Sequence, residues 1–309
     1  MYFRSRKMNF NSREGDFRSA GNARLRARNS GARRQETLSS IITLKSITLA
    51  LLLLTGWISP AEARELRVCA DPNNLPFSNE RGEGYENKIA DLIARDLGAQ
   101  LSYTWWAQRR GFVRNTLRAE SCDLIIGVPA GYDPVLTTHP YYRSTYVFVT
   151  RRERALVLDS FDDPRLKTLR IGVHLIGDDG VNAPPAHALS RRGMITNVVG
   201  YSIYGDYREP NPPARLIDAV ASGEIDVAIA WGPLAGYFAS REPAPLAVTP
   251  VAASTDPPAL RFVFAIAMGV RKGDTAFRDE LNQLIDRRRD QIKQILDDYG
   301  VPQIPEIAR

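Results

Sequence analysis

The residues best suited to chemistry gather in a few short stretches. Trp105-Trp106 is followed closely by Arg109-Arg110, so that ring faces and guanidinium forks could form a stacking wall with a cationic rim. Alternation along a strand sends the two tryptophans to opposite sheet faces, which puts one of them in the core. Packing plus solvated arginines is the competing account. His174, Asp178, Asp179 and His187 are the one set suited to a transition metal, although Asp178-Asp179-Gly180 favours a turn instead. The chain has no Gly-x-Ser-x-Gly elbow, no glycine-rich phosphate loop, no Cys-x-x-Cys and no His-Glu-x-x-His. Catalysis therefore has little support.

The elements that would carry these residues alternate between strand and helix. Leu66 to Ala70 reads as a buried strand, with the turn-rich Asp71-Pro-Asn-Asn-Leu-Pro-Phe77 after it. Ile89, Leu92, Ile93 and Leu97 recur at helical spacing, and Gly98 supplies the stop. Leu101 to Trp106, Leu124 to Val128 and Thr145 to Thr150 read as strands, and Phe112 to Ala119 as a helix. The pattern restarts with strand Leu169 to His174 and helices Ala186 to Arg192 and Pro213 to Ser222. Strand Ile225 to Ala230 opens into Trp231, followed by helix Leu234 to Ala239. Pro243 to Pro258 reads as a return crossing, Phe262 to Val270 as a strand, and Phe277 to Tyr299 as a long amphipathic helical region. Such alternation implies a parallel sheet covered by helices on both faces.

The ends bound the charge argument. Ser46 to Ile58 is a short apolar run between Lys45 and Ser59-Pro-Ala-Glu-Ala63, the order of a secretory signal peptide. Cleavage after Ala63 would leave Arg64 first. Formal net charge is +6, but residues 1–63 carry 11 basic and 4 acidic side chains, and the remaining 30 basic and 31 acidic residues balance to −1. A nucleic-acid role, which needs a basic face on the mature domain, loses its support. Cys69 and Cys122 are the only cysteines. In an oxidising compartment they either pair or stay as two small buried residues, a matter of geometry.

Gly84-Tyr85-Glu86 opening a helix, Asp123-Leu-Ile-Ile-Gly127, Pro140-Tyr141-Tyr142, Ile171-Gly172-Val173, Gly223-Glu-Ile-Asp226 and Met268-Gly-Val-Arg-Lys-Gly273 together resemble the family 3 extracellular solute-binding proteins. The resemblance covers nearly all of residues 65 to 300. Four longer strings are similar to a narrower branch, namely Cys69 to Ser78, Gln108 to Asn115, Gly172 to Gly180 and Gly200 to Pro210. This is the MxaJ/XoxJ type, associated with periplasmic methanol dehydrogenases that use pyrroloquinoline quinone. The resemblance implies an α/β, two-lobed periplasmic binding protein-like fold (type II), with parallel-rich sheets flanked by helices and two crossing strands as hinge. Residues 1–63 would be the N-terminal extension and signal peptide, 64–152 plus 263–309 the first lobe, and 153–262 the second. It also implies a periplasmic location, no resident cofactor and a quinoprotein dehydrogenase as partner.

In such a fold a ligand or partner meets the crevice at the C-terminal ends of the strands. The candidates are Asp71, Asn73, Asn74, Phe77, Glu86, Trp105, Arg109, Arg110, Tyr132, Tyr141 and Tyr142 from the first lobe. The second lobe offers His174, Asp178, Asp206 and Trp231. Amino-acid receptors of the family hold the substrate carboxylate with an arginine fork and the ammonium with an acid. Counted from Pro140-Tyr141-Tyr142, the arginine place falls at Gly131 or Tyr132, and the acid place falls near Trp231. Ala130 to Tyr142 contains no arginine. The resemblance therefore implies an accessory protein of a dehydrogenase, non-enzymatic, that aids its maturation, cofactor or metal loading, or activation. The alternatives are a transport receptor for a small solute other than a standard amino acid, and a dehydratase-like lyase with Glu86 as general acid. For Glu86 the competing account is a first-turn acid favoured by the helix macrodipole.

Overall fold

The computed structural model describes residues 64–175, 182–203, 207–252, 256 and 260–305. The chain begins with β1 (Glu65–Ala70), the short paired strands β2 (Asn73–Asn74) and β3 (Ser78–Asn79), and α1 (Tyr85–Leu97). It continues through β4 (Gln100–Trp105), α2 (Phe112–Asn115), β5 (Ile125–Pro129), β6 (Leu136–Thr137) and β7 (Tyr142–Arg151). Then come β8 (Ile171–Leu175), α3 (Pro184–Arg191), β9 (Val198–Ser202), α4 (Arg215–Ala221), β10 (Val227–Trp231) and α5 (Gly232–Ala239). The last elements are β11 (Leu246–Pro250), β12 (Val263–Val270), α6 (Thr275–Arg287) and α7 (Arg289–Asp298).

The main sheet runs β5-β12-β7-β10-β8-β9. β1 pairs in parallel with β4 and touches the start of β5 through a parallel bridge from Val68 to Leu124. Parallel pairing also joins β8 to β9 and to β10, whereas β12, β7 and β10 run antiparallel in succession. The sheet is thus mixed, not purely parallel. The antiparallel part arises because β7 and β12 carry the chain across the molecule in opposite directions. Residues 142–145 of β7 pair with β12, and residues 146–150 pair with β10. β11 takes over the edge of β7 where β12 leaves it, pairing Val147 to Arg151 with Pro250 to Leu246. The stretch expected as a return crossing therefore contains an edge strand, and β12 makes the return.

Local chemistry explains the boundaries. α1 buries Ile89, Ala90, Ile93 and Ala94 on one face and stops at Gly98, whose φ of 60° is the left-handed cap that favours glycine. α2 is shorter than expected. The Thr116 hydroxyl donates to the Phe112 carbonyl at 2.7 Å, and the chain then turns toward Cys122 through Glu120 at φ 58°. β9, which the sequence did not announce, has a half-exposed pattern with Gly200 in its middle. Along β7, Val147 and Val149 face Leu216, Ile217 and Leu234, while Phe148 faces Phe161 and Ile171 on the opposite side. Residues on the β1 side build a separate core around Tyr85, Ile89, Ile93, Met268 and Leu284.

Cys69 and Cys122 form a disulfide with Cα atoms 5.5 Å apart, tying β1 to the loop before β5. The bridge closes a chain segment of 53 residues. Restricting so long a loop in the unfolded chain contributes about 4 kcal/mol on the chain-entropy account. The Cys69→Ser/Cys122→Ser variant should lose stability of that order in denaturant unfolding, and a reductant should then leave it unchanged.

Candidate functional site

A cavity of about 390 Å³ lies where the ends of β1, β5, β8 and β10 meet the crossing strands. Its floor is aromatic. Tyr146 of β7, Trp231 at the end of β10 and Phe264 of β12 form an edge-on cluster, with ring centroids 5.4 Å apart for Tyr146–Trp231 and 5.8 Å for Trp231–Phe264. Phe77 and Tyr142 continue the wall toward α1. Tyr142 is buried, and its hydroxyl lies 2.8 Å from that of Tyr85.

Three polar side chains that are more than nine-tenths buried line this cavity, Asp71, Glu86 and His174. Glu86 is placed by the way α1 begins. The amides of Tyr85 and Glu86 donate to the carbonyls of Pro76 and Phe77 at 2.8 and 2.9 Å, so the preceding loop satisfies the helix start. The Asn87 side-chain carbonyl accepts from the amides of Gly84 and Asn79 at 3.0 and 3.1 Å. A Cβ on Gly84 would collide with the Phe77 backbone. At Gly127 the Glu86 carboxyl fills the space a Cβ would take, so a larger residue there would have to displace it. No described residue hydrogen-bonds this carboxyl. Burial, helped by the charge of Asp71, pushes it up to about 8, so at neutral pH it is mostly a protonated acid able to donate. His174 lies one residue before the end of β8 and has no hydrogen-bond partner among the described residues; burial pushes its imidazolium down to about 4 and keeps it neutral.

Asp71 is placed differently. Its carboxylate accepts from the Asn73 amide (2.9 Å), the Gln108 amide (2.6 Å) and the Tyr207 hydroxyl (2.7 Å). Asn73 reaches the Glu209 carbonyl at 2.9 Å, and Arg109 lies over the Tyr207 ring at 5.4 Å. These contacts latch the β1–β3 loop and the residues after β4 to the segment at Tyr207. Asn74 donates to Gln108 at 3.3 Å along the same edge.

Of the residues expected in the crevice, Asp71, Asn73, Asn74, Phe77, Glu86, Tyr142, His174 and Trp231 line one cavity. Trp105 does not line it. Its side chain shares a strand face with Tyr103, stacks on that ring at 4.6 Å and packs against the core, while Trp106 on the other face is exposed. Tyr141 turns away too, donating to the Ile126 carbonyl at 3.1 Å. Arg109, Arg110 and Tyr132 line a neighbouring recess. Asp178 and Asp206 lie outside the described residues, as do Asp179 and the signal-peptide segment. Sequence reasoning missed Tyr146, Phe264, Gln108 and Tyr207. The two aromatics had a signal, since crossing strands must form the floor of such a crevice.

Among the described residues, no arginine or lysine lines the cavity, and no three or more His, Cys, Asp or Glu side chains are grouped to hold a metal ion. His187 sits on α3, away from the cavity lining. At the place counted for the family's arginine stand Gly131, at φ 75°, and the exposed Tyr132; at the place counted for the acid, Trp231 lines the cavity. The site can hold an apolar or aromatic body and exchange hydrogen bonds through Glu86 and His174, beside an Asp71 carboxylate that is already engaged. It has no described cation to oppose a buried carboxylate.

Residues 66–302 match the family model for bacterial extracellular solute-binding proteins, family 3. The chain belongs to this family. It is similar to protein MoxJ of Methylorubrum extorquens, 33% identical over 301 residues, spanning 88% of this chain and 97% of that protein. The crystal structure of the periplasmic binding protein XoxJ from Methylobacterium extorquens AM1 is 38% identical, with a TM-score of 0.64 over 78% of this chain and all of that one. That of MxaJ from Methlophaga aminisulfidivorans MPT is 25% identical, with a TM-score of 0.65 over 77% and 100%. These likenesses agree with the expected fold: a mixed α/β sheet flanked by helices. No described helix is long and apolar enough to cross a membrane.

The two buried groups have opposite pH signatures. The folded-state value of Glu86 lies above its unfolded value, so its contribution to stability is complete below about 4.3 and is lost as pH rises through about 8. That of His174 lies below its unfolded value, so its contribution is present above about 6.5 and lost as pH falls through about 4. Glu86→Gln should match the wild type near pH 4.5 and exceed it by on the order of 4 kcal/mol at pH 9. Denaturant unfolding from pH 4 to 9 would check this, with His174→Gln expected to remove the acid-side loss instead.

Proposed function

We propose that this protein is a periplasmic, non-enzymatic accessory protein of a dehydrogenase that uses pyrroloquinoline quinone to oxidise methanol or a related alcohol. It aids maturation of that enzyme, through cofactor or metal loading, or its activation. The observation that carries this reading is the cavity itself. It keeps the crevice of a solute-binding protein and replaces charged hooks by the Tyr146–Trp231–Phe264 cluster, Glu86 and His174. The similarity to MoxJ, XoxJ and MxaJ supports the pairing with this class of dehydrogenase. The test is reconstitution. Dehydrogenase purified from cells lacking the accessory protein should have low specific activity and low cofactor content, restored by adding the purified protein, and the two should co-purify. Absence of both binding and any effect on maturation would sink the reading.

A second reading is a transport receptor for a small uncharged solute, favoured by Glu86 and His174, which line the cavity without a described hydrogen-bond partner. A ligand at 100 times its dissociation constant stabilises the folded state by about 2.7 kcal/mol. Matched probes of one shape, such as benzamide, benzoate and benzylamine, should then raise the melting temperature only for the neutral member. A shift with benzoate alone would contradict the neutrality of the site.

A further inference from the structure

Apart from the aromatic cavity and the recess beside it, the start of β7 borders a further pocket of about 200 Å³. Its walls come from the loop before β7, from α6 and α7, and from the segment after α7. It shares only Tyr142 with the aromatic cavity. Hydrogen bonds fix these walls. The His139 amide donates to the Asn282 side-chain carbonyl, the Tyr141 amide to the Ile266 carbonyl and the Ile304 amide to the Arg143 carbonyl, each at 2.9 Å. The Ser144 hydroxyl donates to the Pro302 carbonyl at 2.6 Å, which holds the chain after α7 against β7. Sheet, helices and C-terminal segment are thereby tied around one space.

Arg143 sets the chemistry of this pocket. Among the described residues, its Nε is the one buried side-chain polar atom of a charged group that has no hydrogen-bond partner. A guanidinium cannot shed its charge, so a donor satisfied by neither water nor protein stays costly. Arg143 is half-buried, lines the pocket and has no hydrogen bond or ion pair from its side chain among the described residues. Turning its fork toward a ligand therefore breaks no hydrogen bond. The other arginine of the wall, Arg289, lies 3.1 Å from the exposed Asp286, and His139 Nε2 lies 3.6 Å from the same carboxylate. Asp286 offsets those two in part, but it does not line the pocket, and no described aspartate or glutamate does. Gln303 is turned to Asp297, its amide donating at 2.6 Å. Ile285, Ile292 and Ile304 line the same space, and such apolar neighbours strengthen a charge-assisted hydrogen bond by excluding water.

We propose that this pocket binds a small oxyanion, a carboxylate or a phosphate, with Arg143 as the principal contact and the exposed Arg289 assisting. An arginine edge presents two parallel donors, which the two oxygens of one oxyanion match. Nε is one donor of that edge, so the ligand satisfies the atom that the fold leaves without a partner. The site is separate from the aromatic cavity, and the proposal does not depend on a dehydrogenase partner.

The test is a thermal-shift titration of the purified mature protein with sodium acetate, butyrate and phosphate, against sodium chloride at equal ionic strength. At least one of the three probes should raise the melting temperature with saturation, where chloride does not. Arg143→Gln should weaken that binding by about tenfold or more, the loss of a charge-assisted fork. Arg289→Gln should weaken it in the same direction but by less. Arg114→Gln, in the recess beside the aromatic cavity, should stay within about twofold of the wild type. Stabilisation by salt exclusion would instead rise without saturating and persist in every variant. The site is overturned when no probe saturates with the wild type, or when a folded Arg143→Gln variant binds as tightly as the wild type. Should Arg143→Gln fail to fold, as judged by circular dichroism, unchanged binding by Arg289→Gln overturns it.

Discussion

The site depends on one backbone constraint: β7 and β12 must run side by side, antiparallel, where the chain crosses the molecule. Their register sets Thr145 against Val263 and Tyr142 against Ile266. Because side chains alternate along a strand, it also decides which rings reach the crevice. Tyr142 and Tyr146 of one strand, with Phe264 and Ile266 of the other, line the cavity. A slip of one residue in either strand would send the opposite set inward. Gly232 packs against the Thr145 carbonyl so closely that a Cβ there would collide, which fixes α5 and the preceding Trp231 over the same crossing.

That geometry sets the electrostatics. Rings from both crossing strands exclude water from Glu86 and His174, and a charge without a partner in such surroundings is costly. The carboxyl answers by keeping its proton and the imidazole by losing one. Asp71, only 2% exposed, is instead engaged by hydrogen bonds, since two backbone amides and the Tyr207 hydroxyl donate to its oxygens. Two carboxyls at one site thus have different duties. One is consumed in holding the molecule together, and one is left free to meet something else.

Much of this was legible in the sequence, and the limits have physical causes. Helical spacing and the Gly98 stop marked α1, and the Gly84-Tyr85-Glu86 string contained a carboxyl that faces the cavity without a described hydrogen-bond partner. The absence of arginine between Ala130 and Tyr142 already indicated that no fork would arise from that loop. Trp105 was misplaced because the step from strand to loop does not reveal which tryptophan turns toward the helix layer, and stacking on Tyr103 decided it. Tyr207 was invisible, since its importance comes from a contact with a residue 136 positions away. Tyr146 and Phe264 read as ordinary alternating strand residues, and only the pairing of two distant strands brings them to one floor. The Cys69–Cys122 bridge was open for the same reason, and the parallel approach of β1 to the start of β5 closed it.

The division of charge over the surface argues against a simple loss of receptor chemistry. The described cavity wall contains no cation, and four exposed arginines line the neighbouring recess, which shares Gly127, Val128 and Pro129 with the cavity. A carboxylate arriving at this edge would meet the exposed arginines before the aromatic floor. Desolvating it further, into a cavity lined by the Asp71 carboxylate and by no described cation, would cost more than the neutral Glu86 and His174 return. Charged groups are therefore favoured at the rim and uncharged ones inside.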